Sequence, residues 1–582
     1  VPKLVGQSLE TAEEIVKNRM QKLLDGDFSE DDFNTIKLNN QKEIELKWES
    51  NYSRVYEMVD AFTQQKTWDE HYNNLSKFEG VTKQDVVDVA NKYLGKDYFA
   101  LYSRMGFPKK EKLQKPGFEP VIPKSEAKSA FAQHLETVPT LNAKAQYVDF
   151  EKDILTTTLS NRFTVNQVNN PFNEVFDLSI VYGKGSYNIR ELDIVSSFLG
   201  LTGTDDKSVS ELKEAFAALG ASYYFYQSQE QFTMSIQGLE QNLEKTLVLV
   251  NEFMTKVKAD EEKLKIVNDD LETERKIDRE EGQYISTVLT RHVLYGPLAQ
   301  EKQELSKKEF KKLTAQQLLD IYKSLFKVET TVSFTGNTDP KEFNALCKKY
   351  LMVEDELSPK QEPVVLASYA PEKTEIYIIE DKKAVQSHIS FVVKGELGDK
   401  SQMLVNSAFN EYFGGGMSSL VFQEIREFRS LAYSAYGNLS LPKVDGKNTS
   451  FYGYIGCQAD KTIDAVDAMQ SLLNDMPQKP ERMDMIRQAL LEKGKTAKPN
   501  FRSLAMIVDY WKQKGYTSDP NKLLVESVGD LRFDDIVAYY KQELKNRPII
   551  ITIVGDPGSI DMKKLKEIGP VTVVKKKNLF VN

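Results

Sequence analysis

The chain has 582 residues, 40% of them hydrophobic, 28% charged and 10% aromatic, with a formal net charge of −9 and a pI near 5.4. That length exceeds one hydrophobic core and predicts about three or four domains. The acidic balance excludes a general nucleic-acid binder, because neutralising phosphates needs a basic field.

No apolar run is long enough to span a bilayer. Cys347 and Cys457 are far apart and read as buried thiols rather than a disulfide framework. Neither an initiator Met nor a signal peptide opens the sequence at Val1, so a processed or excised piece is expected.

Residues 1–105 read as helices followed by one strand. Ser8 to Leu24 has helical apolar spacing, with Gly26 as a stop. Ser29 caps a second helix with an acidic first turn that runs through Trp48, and Ser53 to Phe62 continues the pattern. Thr82 caps a helix over Val81 to Leu94, and Tyr98 to Tyr102 reads as a strand. Residues 106–150 then scatter Pro108, Pro116, Pro120, Pro123 and Pro139 among lysines, which predicts a long linker packed on the surface.

Residues 151–355 open with a hairpin over Asp153 to Asn166. Phe176, Leu178, Ile180 and Tyr182 alternate as in a half-buried strand that Gly183 and Gly185 end. A helix from Arg190 to Leu199, the pair Gly203-Thr204 and a helix from Val209 to Leu219 follow. Next come a strand pair from Tyr223 to Gln237 and a long helical stretch to about Thr290. A helix over Leu313 to Tyr322 and a strand over Thr330 to Thr335 close the segment.

Residues 356–582 repeat this plan. Glu375 to Ile379 and Ser387 to Val393 read as strands, Lys400 to Tyr412 as a helix, Leu531 to Tyr540 as a helix and Ile549 to Val554 as a strand. The same helix-then-strand ending therefore occurs from Val81, from Leu313 and from Leu531. Two of the strands end alike, in Gly336-Asn337 and Gly555-Asp556. Val181-Tyr-Gly-Lys-Gly185 also matches Val393-Lys-Gly-Glu-Leu-Gly398. Repeats this long mean copied domains rather than a solenoid. Strands early and helices late in each copy predict α+β domains, each a mostly antiparallel sheet covered by helices on one face.

The stretch from Phe413 to Tyr436 organises the last copy. Gly414, Gly415 and Gly416 make a loop that can take positive φ and lie close to other backbone. Ser418 or Ser419 can cap a following helix whose Val421, Phe422, Ile425 and Phe428 share a face. Leu431 to Tyr436 then reads as a short strand. Arg426 and Tyr433 can each donate to a peptide carbonyl, holding an extended chain or polarising the carbonyl under attack. The bland alternative pairs Arg426 with Glu424 or another carboxylate and buries Tyr433.

This block resembles a signature of the insulinase-like (pitrilysin) zinc peptidases, in which a glycine loop leads into a helix carrying an arginine, and a Leu-Ala-Tyr or Leu-Gly-Tyr follows. The family's arginine and tyrosine stand seven residues apart, as Arg426 and Tyr433 do here. The resemblance implies that Arg426, Tyr433 and the loop of Gly414, Gly415 and Gly416 bind peptide substrates. It implies four α+β domains, two per half, closing around a peptide. The present chain would then hold the back of the second domain (1–105), a Pro-rich interhalf linker (106–150), a third domain without a zinc motif (151–355) and a fourth with the Arg/Tyr motif (356–582).

The family's zinc motif, His-x-x-Glu-His, sets two imidazoles on one helix face with a glutamate between them to activate water. Counting back from Gly203-Thr204 puts those positions at Ile194, Ser197 and Phe198, none of which can serve. No catalytic residue and no metal site is expected in this chain. Zinc is expected in an N-terminal catalytic half or partner subunit that carries the motif. His71, His134, His292 and His388 are not at ligand spacing and read as surface or strand histidines, with His388 lacking a partner. There is no Gly-x-Ser-x-Gly elbow and no Gly-Lys-Ser/Thr phosphate loop, and Asn188 stands where Gly183-x-Gly185 would need its third glycine for a dinucleotide site.

The expected function is the non-catalytic half of a zinc metallopeptidase that walls a peptide-degrading chamber, in a periplasmic setting. A non-enzymatic scaffold or partner subunit of the same family is the alternative.

Overall fold

The computed structural model describes residues 8–76, 80–95, 97–104, 129–139 and 144–581. The chain divides into two compact units, residues 1–144 and 145–582. The first is helical among its described residues: Leu9–Leu24, Glu30–Glu49, Asn51–Thr63, Trp68–Ser76, Lys83–Tyr93 and Ala130–Thr137. The caps follow the sequence. Ser8 accepts from the Thr11 amide at 3.0 Å, and Ser29 with Asp32 and Thr82 with Asp85 form capping boxes. Gly26 takes φ +70° after the first helix. The helix Asn51–Thr63 buries Glu57 and Ala61 yet leaves Tyr52, Val55, Met58, Val59 and Phe62 exposed.

The strand expected over Tyr98 to Tyr102 does not form. A strand needs a sheet to join, and no strand occurs among the described residues of this unit. Instead the Tyr98 and Tyr102 phenols donate to Glu13 of the first helix. The expected linker is also broken by the helix Ala130–Thr137, and at its far end Val148 and Phe150 are buried. Its remaining stretch over 105–128, with Pro108, Pro116, Pro120 and Pro123, lies outside the described residues, as does 140–143.

The second unit carries two six-stranded sheets. The first comprises β1 (Leu155–Ser160), β2 (Phe163–Val168), β3 (Val175–Tyr182), β4 (Ser222–Gln227), β5 (Phe232–Leu239) and β6 (Thr330–Thr335), in the order β1-β2-β6-β3-β5-β4. The second comprises β7 (Glu375–Glu380), β8 (Gln386–Gly398), β9 (Ala432–Ser440), β10 (Lys447–Gln458), β11 (Ile550–Gly555) and β12 (Val571–Val573), in the order β12-β7-β11-β8-β10-β9. The last long strand of each copy returns to the middle of its sheet. There β6 lies parallel to β2 and antiparallel to β3, and β11 lies parallel to β7 and antiparallel to β8. Two of the three copied endings seen in the sequence, those from Leu313 and Leu531, are therefore the central strands of an α+β fold.

Side chains on each sheet alternate between two environments, as the pleat requires. Ile376, Ile378, Ile389, Phe391, Ile551 and Ile553 enter the large core of the second copy. Their neighbours Ile379 and Val554 face the other way, against Ile285, Val288 and Leu289. Those three belong to the helix Gly282–Tyr295, which the first copy supplies. Hydroxyl pairs also tie it down: Ser286 to Ser390 at 3.4 Å and Thr290 to Thr552 at 2.7 Å.

The second copy reciprocates with the helix Leu504–Gln513, whose Leu504, Ala505 and Val508 pack on Val168. Arg502 beside it forms an ion pair with Asp177 of β3. The long helical stretch expected to Thr290 is thus three helices, Leu243–Lys256, Glu261–Asp278 and Gly282–Tyr295. Asp260 and Glu281 start the later two by accepting from free amides.

The C-terminal Leu579 and Phe580 complete the cluster around Gly282–Tyr295, and Lys302 donates to the Phe580 carbonyl at 2.8 Å. Phe580→Ala is expected to lower unfolding free energy by about 3 kcal/mol in urea titration. Val385→Ala, at an 83% exposed position, should change it by less than about 0.5 kcal/mol. Equal effects would show that the C-terminal residues do not clamp the exchanged helix.

Candidate functional site

The glycine loop is shaped by close approach, not by left-handed backbone. None of Gly414, Gly415 and Gly416 has positive φ, contrary to the expectation from sequence. The helix Met403–Phe413 ends at Gly414, with φ −144° and ψ 2°. A Cβ there would lie 2.0 Å from the Gly437 carbonyl oxygen, and one on Gly415 would lie 2.7 Å from the Asn410 carbonyl oxygen. Gly416 would meet only Glu411, at 3.7 Å. The helix end is pressed against edge strand β9, and Asn410 completes the seat. Its amide donates to the Leu439 carbonyl at 2.9 Å and accepts from the Leu439 N–H at 2.8 Å.

The helix expected after the loop is wound differently. Phe422–Glu427 is a π-helical turn, with the Phe428 N–H donating to the Gln423 carbonyl at 2.8 Å. Of the two capping serines expected, Ser419 accepts from the Phe422 N–H at 3.4 Å. Leu420, Val421 and Ile425 are buried, but Phe428 is 57% exposed and leaves the expected apolar face. The wider turn of an i→i+5 bond moves later side chains around the axis. Arg482 holds the turn from outside, donating to the Ser418 carbonyl at 2.7 Å and to the Gln423 side chain.

Two more irregularities bring the candidate pair together. Ser430 reverses the chain with φ +48°. In β9, Ser434 pairs with Gly456 but Ala432 pairs with Cys457, so Tyr433 is the extra residue of a β-bulge. The Arg426 guanidinium lies 4.4 Å above the Tyr433 ring and 4.7 Å from the Phe422 ring. Such stacking contributes about 0.5–1 kcal/mol at an exposed site. Arg426 also approaches Glu427 at 3.5 Å, whereas Glu424 turns to Lys479 at 4.0 Å. Tyr433 is 81% exposed. The bland arrangement is therefore found only in part: Arg426 does have a carboxylate neighbour, Glu427 rather than Glu424, but Tyr433 is not buried. A guanidinium beside two rings still has N–H groups that can donate, next to a phenol that can also donate.

Sequence reasoning passed over the tyrosines beside this pair. Tyr436 of β9 stands opposite Tyr454 of β10, with ring centroids 5.4 Å apart, and Tyr452 lies 6.2 Å from Tyr436. The signal was the period of two in Tyr452-x-Tyr454. His388, expected to lack a partner, has Nδ1 2.7 Å from the Tyr454 hydroxyl. Burial holds its pKa below the ordinary histidine value, with Glu281 opposing. His71 is not a surface or strand histidine: it is buried on a helix, 2.7 Å from Glu57.

The positions matching the zinc motif do not fit a metal. Ile194 and Phe198 are buried in the core of the first sheet, and the Ser197 hydroxyl donates back to the Asp193 carbonyl at 3.3 Å. In front of that helix, Arg190 donates to the carbonyls of Gln303 and Glu304, and Arg275 pairs with the Glu304 carboxylate at 3.0 Å. Among the described residues, no cluster of three His, Cys, Asp or Glu side chains could hold a metal ion.

Residues 312–495 match the sequence profile of the peptidase M16 inactive domain. The chain is 23% identical over 300 residues to an uncharacterized zinc protease of Streptomyces coelicolor, an alignment covering 50% of this chain and 63% of that relative. The peptidase M16 inactive domain from Pseudomonas fluorescens superposes with a TM-score of 0.55 at 17% identity, covering 69% of this chain and 98% of that structure. The periplasmic protease PqqL from Escherichia coli gives a TM-score of 0.55 at 14% identity, over 93% of this chain and 63% of that one.

Gly414→Ala is expected to lower stability by about 2 kcal/mol through backbone overlap with β9, with Gly416→Ala within about 0.5 kcal/mol of the parent. Thermal unfolding of both variants checks this. Equal tolerance would mean that the loop is not seated on Gly437.

Proposed function

We propose, from the premise that this chain is an insulinase-like protein carrying a peptidase M16 inactive domain, that it is the peptide-gripping, non-catalytic half of a zinc peptidase. Arg426 and Tyr433 hold an extended peptide by its backbone carbonyls against a separate half that carries His-x-x-Glu-His and the zinc. The observation behind this reading is the exposed Arg426–Tyr433 stack, built on a π-turn, a left-handed serine and a β-bulge. Irregular backbone of this kind costs free energy and is concentrated where side chains must be aimed.

Each donor has a distinct task. The Arg426 fork supplies charge-assisted hydrogen bonds of fixed direction. The Tyr433 phenol can donate to the next carbonyl along an extended chain. No hydrolytic step falls to this chain, because Ile194, Ser197 and Phe198 offer neither metal ligands nor a base. Residues 1–105 would be the back of an incomplete domain, 106–150 the link between halves, and 151–355 and 356–582 two domains forming the far wall of a closed chamber. The exposed apolar side of the helix Asn51–Thr63 supports a further polypeptide partner, and the likeness to the periplasmic protease PqqL favours a periplasmic setting.

Supplying the motif-bearing half to the full chain tests the assignment. Arg426→Ala should lower kcat/KM for an unstructured fluorogenic peptide by roughly 10- to 100-fold, and Tyr433→Phe by a few-fold. The thermal midpoint should hold in both. Loss of stability in step with activity would make the pair a packing feature, and unchanged activity would favour a scaffold.

A further inference from the structure

The face of the second sheet that bears His388 and Ser390 is only partly covered. The exchanged helix Gly282–Tyr295 covers β7, β8 and β11, tied by the Ser286–Ser390 and Thr290–Thr552 hydroxyl pairs. On β10 and β9, at one edge of the sheet, the same face carries Tyr452, Tyr454 and Tyr436, with Tyr454 buried and Tyr436 43% exposed. These rings are fixed. The Tyr454 hydroxyl meets His388 Nδ1 at 2.7 Å, the Tyr452 hydroxyl lies 3.1 Å from Ser390 Oγ, and Tyr436 stacks on Tyr454 with an interplanar angle of 29°.

We propose that Tyr436, backed by Tyr452 and Tyr454, is a subsite for an aromatic side chain of the peptide held at Arg426 and Tyr433. This face would then select extended polypeptides carrying an aromatic residue. The inference rests on the reading of Arg426 and Tyr433 as peptide donors and adds the class of side chain preferred beside them.

Three features favour a stacking subsite over a further strand. The outer edge of β9 is already taken at Leu439 by Asn410 and at Gly437 by the close approach of Gly414. A peptide cannot extend the sheet at those two residues, which favours contact through its side chains there. Tyr436 follows Tyr433 by three residues in one strand, at most about 10 Å along it because Tyr433 is bulged, a separation within reach of about three residues of an extended peptide. Rings already held by their hydroxyls give up little conformational freedom on stacking. The first sheet repeats the placement: Tyr224 and Tyr226 of its edge strand β4 are exposed and stacked at 5.8 Å.

Fluorescence anisotropy with the full chain tests this, using labelled unstructured peptides of about 12 residues, roughly 40 Å when extended, identical except for Phe or Ser at one central position. The Phe peptide should bind roughly fivefold more tightly than the Ser peptide. Tyr436→Ser should bring that ratio to about one without weakening the Ser peptide, and Tyr436→Phe should keep the ratio. Arg426→Ala should weaken both peptides equally. Circular dichroism and the thermal midpoint establish that each variant folds. A ratio that persists in Tyr436→Ser overturns the subsite. If the ratio collapses there but Arg426→Ala has no effect, the subsite stands and the Arg426 reading falls. Failure of every peptide to bind overturns both.

Discussion

A Cβ on Gly414 would sit 2.0 Å from the carbonyl oxygen of Gly437, so the end of the helix Met403–Phe413 and edge strand β9 are in backbone contact, and no other residue fits between them. From that contact the rest of the site follows. Asn410 occupies the strand's outer edge at Leu439, which protects an edge that would otherwise invite pairing with another chain. The chain must then travel from Gly416 back to Ala432 in a short span. It does so with Leu420, Val421 and Ile425 buried and one wide turn between them. Arg426 leaves that turn on the side where the bulged Tyr433 emerges.

Much of this was legible in the sequence because duplication made it so. Strand β6 begins and ends where the alternation of Thr330 to Thr335 put it, and β11 does so to within a residue. The caps at Ser29 and Thr82 hold as read. The π-turn was not legible. Val421, Phe422, Ile425 and Phe428 fit an ordinary helical stripe, and only tertiary ties from Arg482 and the need to reach Ser430 impose the wider winding. The glycines misled in a related way. Three in a row suggest left-handed backbone, while their use here is the absence of a side chain. Tyr98 to Tyr102 has strand composition but finds no sheet among the described residues, and composition cannot supply a partner.

The exchange of helices between the two copies was equally hidden. Nothing in Gly282–Tyr295 marks it as belonging on the other sheet except its small polar residues, Ser286 and Thr290, which pair with hydroxyls on β8 and β11. The first copy's helix at Ile194, Ser197 and Phe198 is held by different contacts. There the apolar helix is sunk in the core and Gln303–Glu304 are strapped across it by Arg190 and Arg275.

The central claim is that peptides are held at the Arg426–Tyr433 stack, and photo-crosslinking tests it most directly. An unstructured peptide carrying a photoreactive phenylalanine analogue would be irradiated with the full chain and the adducts mapped by mass spectrometry. The account predicts adducts concentrated between Phe422 and Tyr454, lost in competition with unlabelled peptide. Adducts spread over the surface, or confined to residues 1–144, would contradict it.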